Sequence, residues 1–201
     1  SNVAKVDYAS AFGYSNEASG PASSAVGFRN KAASENASAV GYGNNANALA
    51  ASAVGYNNTA GGVGSSTIGY NNTATNENAS AFGYGNTAGG LASSAFGFSN
   101  TASGDNANAF GYNNIASGSK SNVFGTGNTV SGSSSTAVGT ANEVAAENST
   151  AIGNNNTISS GAENSAALGN NISISLKDSV ALGNNSTATA INSVTGNSSY
   201  T

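Results

Sequence analysis

Cysteine, histidine, methionine and tryptophan are all missing from this 201-residue chain, and proline occurs once, as Pro21. The absence of Cys rules out disulfides and suits a chain that meets oxidising and reducing surroundings alike. Without Cys or His, catalysis would fall to carboxylates or Lys. Glu17, Glu35, Glu77 and Asp105 are expected in solvent-facing turns that imply no pocket, so no catalytic residue, cofactor site or metal site is assigned and the chain is read as non-enzymatic. Charge is scarce: five Lys and Arg stand against nine Asp and Glu, for a net charge of −4. Arg29 and Lys31 form the only local basic pair, which gives nucleic acid no patch to bind. No run of about 18 apolar residues and no charged start before an apolar stretch appears, so any targeting or anchoring segment is expected outside this sequence.

What the chain does have is a glycine every 14 residues: Gly13, Gly27, Gly41, Gly55, Gly69, Gly83, Gly97, Gly111, Gly125, Gly139 and Gly153. One 16-residue step leads to Gly169, a 14-residue step to Gly183, and the pattern fades near Gly196. Counting from that glycine as zero, position −1 is always large and apolar: Phe12, Val26, Val40, Val54, Ile68, Phe82, Phe96, Phe110, Phe124, Val138, Ile152, Leu168 and Leu182. Position −2 is Ala except at Thr67 and Val123, and position +5 is Ala from Ala18 to Ala116, then Val130, Val144, Ile158, Ile174 and Ala188. Position +3 is Asn from Asn16 to Asn156.

Neighbouring residues of a strand point to opposite faces, so adjacent small and large apolar columns need two separate environments. One is a narrow interior lined by Ala, the other a stripe with room for bulk. Each repeat is too short for a helix pair and pairs β-branched or aromatic residues with Gly. Fourteen extended residues span at most roughly 46 Å, enough for two strands of four or five residues joined by tight turns. The spacing therefore predicts an all-β fold, a parallel β-solenoid of 14-residue coils. It forms one repeat domain over 1–201, with about 13 coils over roughly residues 8–188 and an atypical end or connector at 189–201. The Asn column is expected to occupy left-handed turn positions and to stack into ladders, and the marker glycine to turn the corner. An Ala interior buries little area, so the large apolar column calls for partner chains.

The units Ser179-Val180-Ala181-Leu182-Gly183, Ser149-Thr150-Ala151-Ile152-Gly153 and Ser38-Ala39-Val40-Gly41 resemble the head repeats of trimeric autotransporter adhesins. The resemblance implies a left-handed parallel β-roll, a homotrimer and display on a bacterial cell surface, with attachment to the outer membrane through a C-terminal translocator beyond this sequence. It also implies a role in cell adhesion and virulence. No neck motif of the Asp-Ala-Val-Asn-Val kind follows the repeats, and most coils carry Ser where the family signature has Val, as at Ser24 and Ser52. Ligands in that family include carcinoembryonic-antigen-related cell adhesion molecules, collagen and fibronectin.

Two features vary inside the repeat and so are candidate contact sites. A column at +1 runs Tyr14, Phe28, Tyr42, Tyr56, Tyr70, Tyr84, Phe98 and Tyr112, then turns polar from Thr126. It reads either as a stacked ladder at a corner or protomer seam, or as an exposed Tyr track for a protein partner. Position +8 is a variable turn, and Leu49, Val63 and Leu91 there form a candidate apolar strip. An adhesin head that binds host-cell or matrix proteins is the leading reading. The alternatives are a passive spacer in a surface fibre and an ice-binding solenoid, for which the Thr59, Thr73, Thr87 and Thr101 column, broken by Ile115, makes a poor lattice.

Overall fold

Inward and outward residues of each coil follow from one alternation with two interruptions. The computed structural model describes residues 1–189, and every strand in it is parallel to its neighbours, with no helix among the described residues. The chain divides into two compact units, Ser1–Asn100 and Thr101–Thr201, the second described to residue 189. Of the expected atypical end at 189–201, all but residue 189 lies outside the described residues.

In the first unit, seven five-residue strands from Ser10–Tyr14 to Ser94–Phe98 stack in one sheet, and seven two-residue strands from Val3–Ala4 to Thr87–Ala88 stack in another. Successive strands pair in register, so that Val40 lies beside Val54, Gly41 beside Gly55 and Tyr42 beside Tyr56. The strands are thus unequal, five and two residues long, where four or five each were expected. From Asn16 onward, Ala at −2 and +5 and Asn at +3 are fully buried, as is a small column at −4 that includes Ser23, Ala37, Ala51 and Ser65, while Asn2, Ala4, Ala9 and Ala11 of the first coil are half-buried or exposed. Inward positions advance by two residues along each strand and by three at each turn. The residues with left-handed backbone fall in those three-residue steps, at +2 (Ser15, Arg29, Asn57, Asn71) and at +9 (Ala22, Asn36, Ala50, Asn78), with φ between 53 and 56°.

The Asn column at +3 is absent from those left-handed positions, contrary to expectation; its role is a buried ladder. The N–H and Nδ2 of Asn44 each donate to Oδ1 of Asn30 at 3.0 Å. Its Nδ2 also reaches the carbonyls of Val40 at 2.9 Å and of Gly55, one coil on, at 2.7 Å. Asn2 opens the same ladder, because its Oδ1 accepts from the N–H of Asn16 at 3.1 Å and its Nδ2 donates to the Gly13 carbonyl at 2.6 Å.

The marker glycine is not at the corner either. It is the fourth residue of the long strand, with φ near 120°; a Cβ on Gly41 would stand 2.1 Å from the carbonyl oxygen of Gly55. Gly-on-Gly stacking lets adjacent coils meet at strand spacing, and the Asn side chain supplies a donor to the Gly carbonyl.

The second unit repeats this plan with six long strands, Asn108–Tyr112 to Val180–Asn184, and seven short ones, Thr101–Ala102 to Thr187–Ala188. Its interior is filled by larger side chains, with Val123, Val130, Val144, Ile158, Ile172 and Ile174 all fully buried. The 16-residue coil accommodates Ser160 and Gly161 as an extra turn closed by Ala162 N–H on the Ser159 carbonyl at 3.1 Å. The Asn ladder ends one coil later, where Ile172 takes the inward place and donates only its N–H to Asn156 Oδ1, at 3.0 Å.

Candidate interaction surface

Alternation puts positions −3, −1 and +1 of each long strand on one outer face. In Ser52–Tyr56, Ala53 is buried while Val54 is half-buried and Tyr56 exposed. The large apolar column and the aromatic column of the first unit are therefore next-but-one neighbours on the same surface, divided only by the glycines.

The aromatic column is a stacked ladder. Ring centroids of Tyr42, Tyr56, Tyr70 and Tyr84 follow one another at 4.8 Å with interplanar angles of 3–5°. Tyr14 and Phe28 extend it below at 5.2 and 4.9 Å, and Phe98 above at 4.8 Å. The spacing is that of the strands, so ring faces are satisfied by one another and the edges and hydroxyls face outward. Arg29 Cζ stands 5.0 Å from the Phe28 ring. Beside this ladder Phe82 and Phe96 stack at 4.7 Å, Val40 and Ile68 are exposed, Val26 and Val54 are half-buried, and Phe12 keeps 76% of its surface exposed.

In the second unit the −1 column persists. Phe110 and Phe124 stack at 5.3 Å, and Phe124, Val138, Ile152, Leu168 and Leu182 are exposed. At +1, the aromatic series stops after Tyr112 and a polar ladder takes over, in which Asn154 Nδ2 donates to Asn170 Oδ1 at 2.7 Å and Asn170 Nδ2 to Asn184 Oδ1 at 2.9 Å.

Leu49, Val63 and Leu91 occupy turn positions and are 44–46% exposed. The residue after each +8 position donates its N–H one coil back, Gly64 to the Leu49 carbonyl at 2.9 Å, Asn78 to the Val63 carbonyl at 2.8 Å and Ala92 to the Glu77 carbonyl at 2.9 Å. The turns therefore stack in the order Leu49, Val63, Glu77, Leu91, with Glu77 interrupting the strip. Leu49 sits in the turn before the strand Ser52–Tyr56 and Tyr56 at that strand's far end, roughly 13 Å of extended chain from Ser52, so the two candidate sites are not brought together.

The Thr column lies on the outward side of the short strands, where Thr59 and Thr73 are half-buried and Thr87 exposed. In the second unit the exposed Ile115 follows Thr101. Glu17 belongs to a short strand and not to a turn. Lys5 Nζ lies 2.7 Å from its Oε1, and that hydrogen bond, with the charges of Lys5 and Lys31, holds the Glu17 carboxyl below its ordinary pKa. The small inward column at −4 escaped the reading of the sequence, although its restriction to Ala and Ser in most coils was a visible signal.

A family model described as the YadA head domain repeat matches residues 7–30, 60–86, 88–114, 131–156 and 177–194, more than half of the chain. No curated protein matches it.

Proposed function

Because the chain belongs to the YadA head domain repeat family, the head repeat of trimeric autotransporter adhesins, we propose that it is the attachment head of a bacterial surface fibre, acting on host cell-surface or extracellular-matrix proteins. The observation that carries this reading is the outer face of the first unit, where apolar and aromatic columns run side by side and stay exposed in a single chain. A surface of that kind is a site for other protein. Three copies pack with the −1 column toward their common axis and the Tyr ladder along the seams. The turns bearing Leu49, Val63 and Leu91, at the far end of the long strands, stay free to meet the host partner, threefold repeated for avidity. The fibre displays the head from the outer membrane through a C-terminal anchor.

A binding screen of the purified protein against collagen, fibronectin, carcinoembryonic-antigen-related cell adhesion molecules and other host surface proteins tests the reading. The expected result is saturable binding to at least one, weakened tenfold or more by the triple change Leu49→Ser, Val63→Ser and Leu91→Ser with circular dichroism unchanged. Binding that the triple variant retains in full rejects those turns as the contact. Failure to bind any host protein favours a spacer role.

A further inference from the structure

The asparagines of the +9 turns differ from those of the buried ladder in what their side chains are bonded to. Ladder Asn residues are buried, and the residue two places on is always Ala, Val or Ile through Asn156, because that is the inward +5 column. None can be an Asn-x-Ser/Thr acceptor. The turns differ. Glu35-Asn36-Ala37-Ser38 and Glu77-Asn78-Ala79-Ser80 place identical tetrapeptides at the same point of two coils, each with Asn at +9 and a hydroxyl at the start of the next long strand.

Both asparagines are exposed with left-handed backbone, φ 56° and 55°. Asn36 donates its N–H to the Pro21 carbonyl and its side chain makes no hydrogen bond among the described residues; the Asn78 side-chain amide has only a 3.5 Å approach to Glu77. Their stacked neighbours are small: Ala22 and Ala50 flank Asn36, and Gly64 and Ala92 flank Asn78. A Cβ at Gly64 would come within 2.8 Å of Asn78 Oδ1, so the glycine is what leaves this side chain its room.

Two pairs of Asn residues at +2, the Asn of Asn-x-Ser/Thr sequences, are instead tied to each other. Asn57 and Asn71 sit one coil apart with Asn57 Nδ2 bonded to Asn71 Oδ1 at 3.2 Å, and Asn155 and Asn171 repeat this at 2.9 Å. In each pair one side chain is held through its Nδ2 and the other through its Oδ1, so both amides are fixed across the coils.

We propose that Asn36 and Asn78 are N-glycosylation sites. Asn Nδ2 bonds to C1 of a sugar supplied as an activated glycosyl phosphate, nucleotide- or lipid-linked. The C1–O bond to phosphate breaks, the nucleoside diphosphate or the lipid-linked phosphate or diphosphate leaves with that electron pair, and the amide gives up one proton to the transferase. The sugars extend from the turn edge, at the opposite end of the long strand from the aromatic ladder. Asn148, in Glu147-Asn148-Ser149-Thr150, has Asn164 at the matching place of the next coil and is occupied less.

Peptide mapping by mass spectrometry with electron-transfer fragmentation, on the protein taken from the surface of its native bacterium, tests this. The expected result is a sugar on Asn36 and Asn78, lost singly in Asn36→Gln and Asn78→Gln and also in Ser38→Ala and Ser80→Ala, which keep the Asn and the turn. Single hexose increments identify a nucleotide-linked donor, and one oligosaccharide block a lipid-linked donor. Unmodified peptides at both sites, sugar confined to Asn57 and Asn71, or sugar retained after Ser→Ala overturn the proposal.

Discussion

Replacing Asn58 with Ala removes the Oδ1 that accepts from both the N–H and Nδ2 of Asn72, and takes a donor from the carbonyls of Val54 and Gly69. The Asn72 groups are buried and the two carbonyls partly so. The expected loss is about 3 kcal/mol or more, since each stranded buried polar group costs about 1–3 kcal/mol. Asn57→Ala, one residue earlier but exposed at φ 54°, should cost only about 1 kcal/mol, read by urea unfolding alongside it. Glycine offers a second contrast. Gly55→Ala aims its Cβ at the Gly69 carbonyl oxygen from 2.1 Å and should prevent folding or cost more than about 4 kcal/mol. Gly127→Ala, at φ +63° with nothing within 4 Å, should cost about 1 kcal/mol. Equal losses for the two glycines would refute the account of the Gly column.

At the level of the coil, side-chain volume inside the turns is the controlling quantity. The first unit holds Ala at +5 throughout, while in the second Val130, Val144, Ile158 and Ile174 take that place between Ala116 and Ala188, each extra buried CH₂ being worth about 0.8 kcal/mol. Val144→Ala should therefore cost about 2 kcal/mol through the cavity it leaves. Ala60→Val, in the narrower coil, should also destabilise, by about 1–3 kcal/mol through overpacking. Thermal unfolding of both variants checks the pair, and a stabilising Ala60→Val would show that the first interior has spare room. The columns at −2 and +5 were legible in the sequence because burial there selects for size. The corners were not. Their left-handed positions accept Ser15, Arg29, Asn57 and Ala141 alike, so coil geometry rather than residue preference places them, whereas the Asn column owes its regularity to the ladder. Taking the glycine for the corner set a bend between −1 and +1, which hid that Val54 and Tyr56 share one face. The exposure of Leu49, Val63 and Leu91 could be read from variability within the repeat. The break at Glu77 could be read too, once the turns are known to stack.

For the whole molecule, the two units share the outer −1 column and differ in the interior and at +1. The first has small residues within and paired apolar and aromatic columns without; the second has Val and Ile within and, beyond Tyr112, Thr and Asn at the outer +1 places. The first unit consequently has the greater need of a covering partner, and association is expected to depend on it most. Phe82→Ser with Phe96→Ser should weaken assembly while leaving the coil signal in circular dichroism, because those rings contribute nothing to the Ala and Asn interior. The measurement that bears most directly on this account is the solution mass by light scattering at micromolar concentration. The account predicts three times the 19.3 kDa of one chain, falling toward one chain in the double Phe variant. A folded, stable species of 19.3 kDa from the unaltered sequence would contradict it.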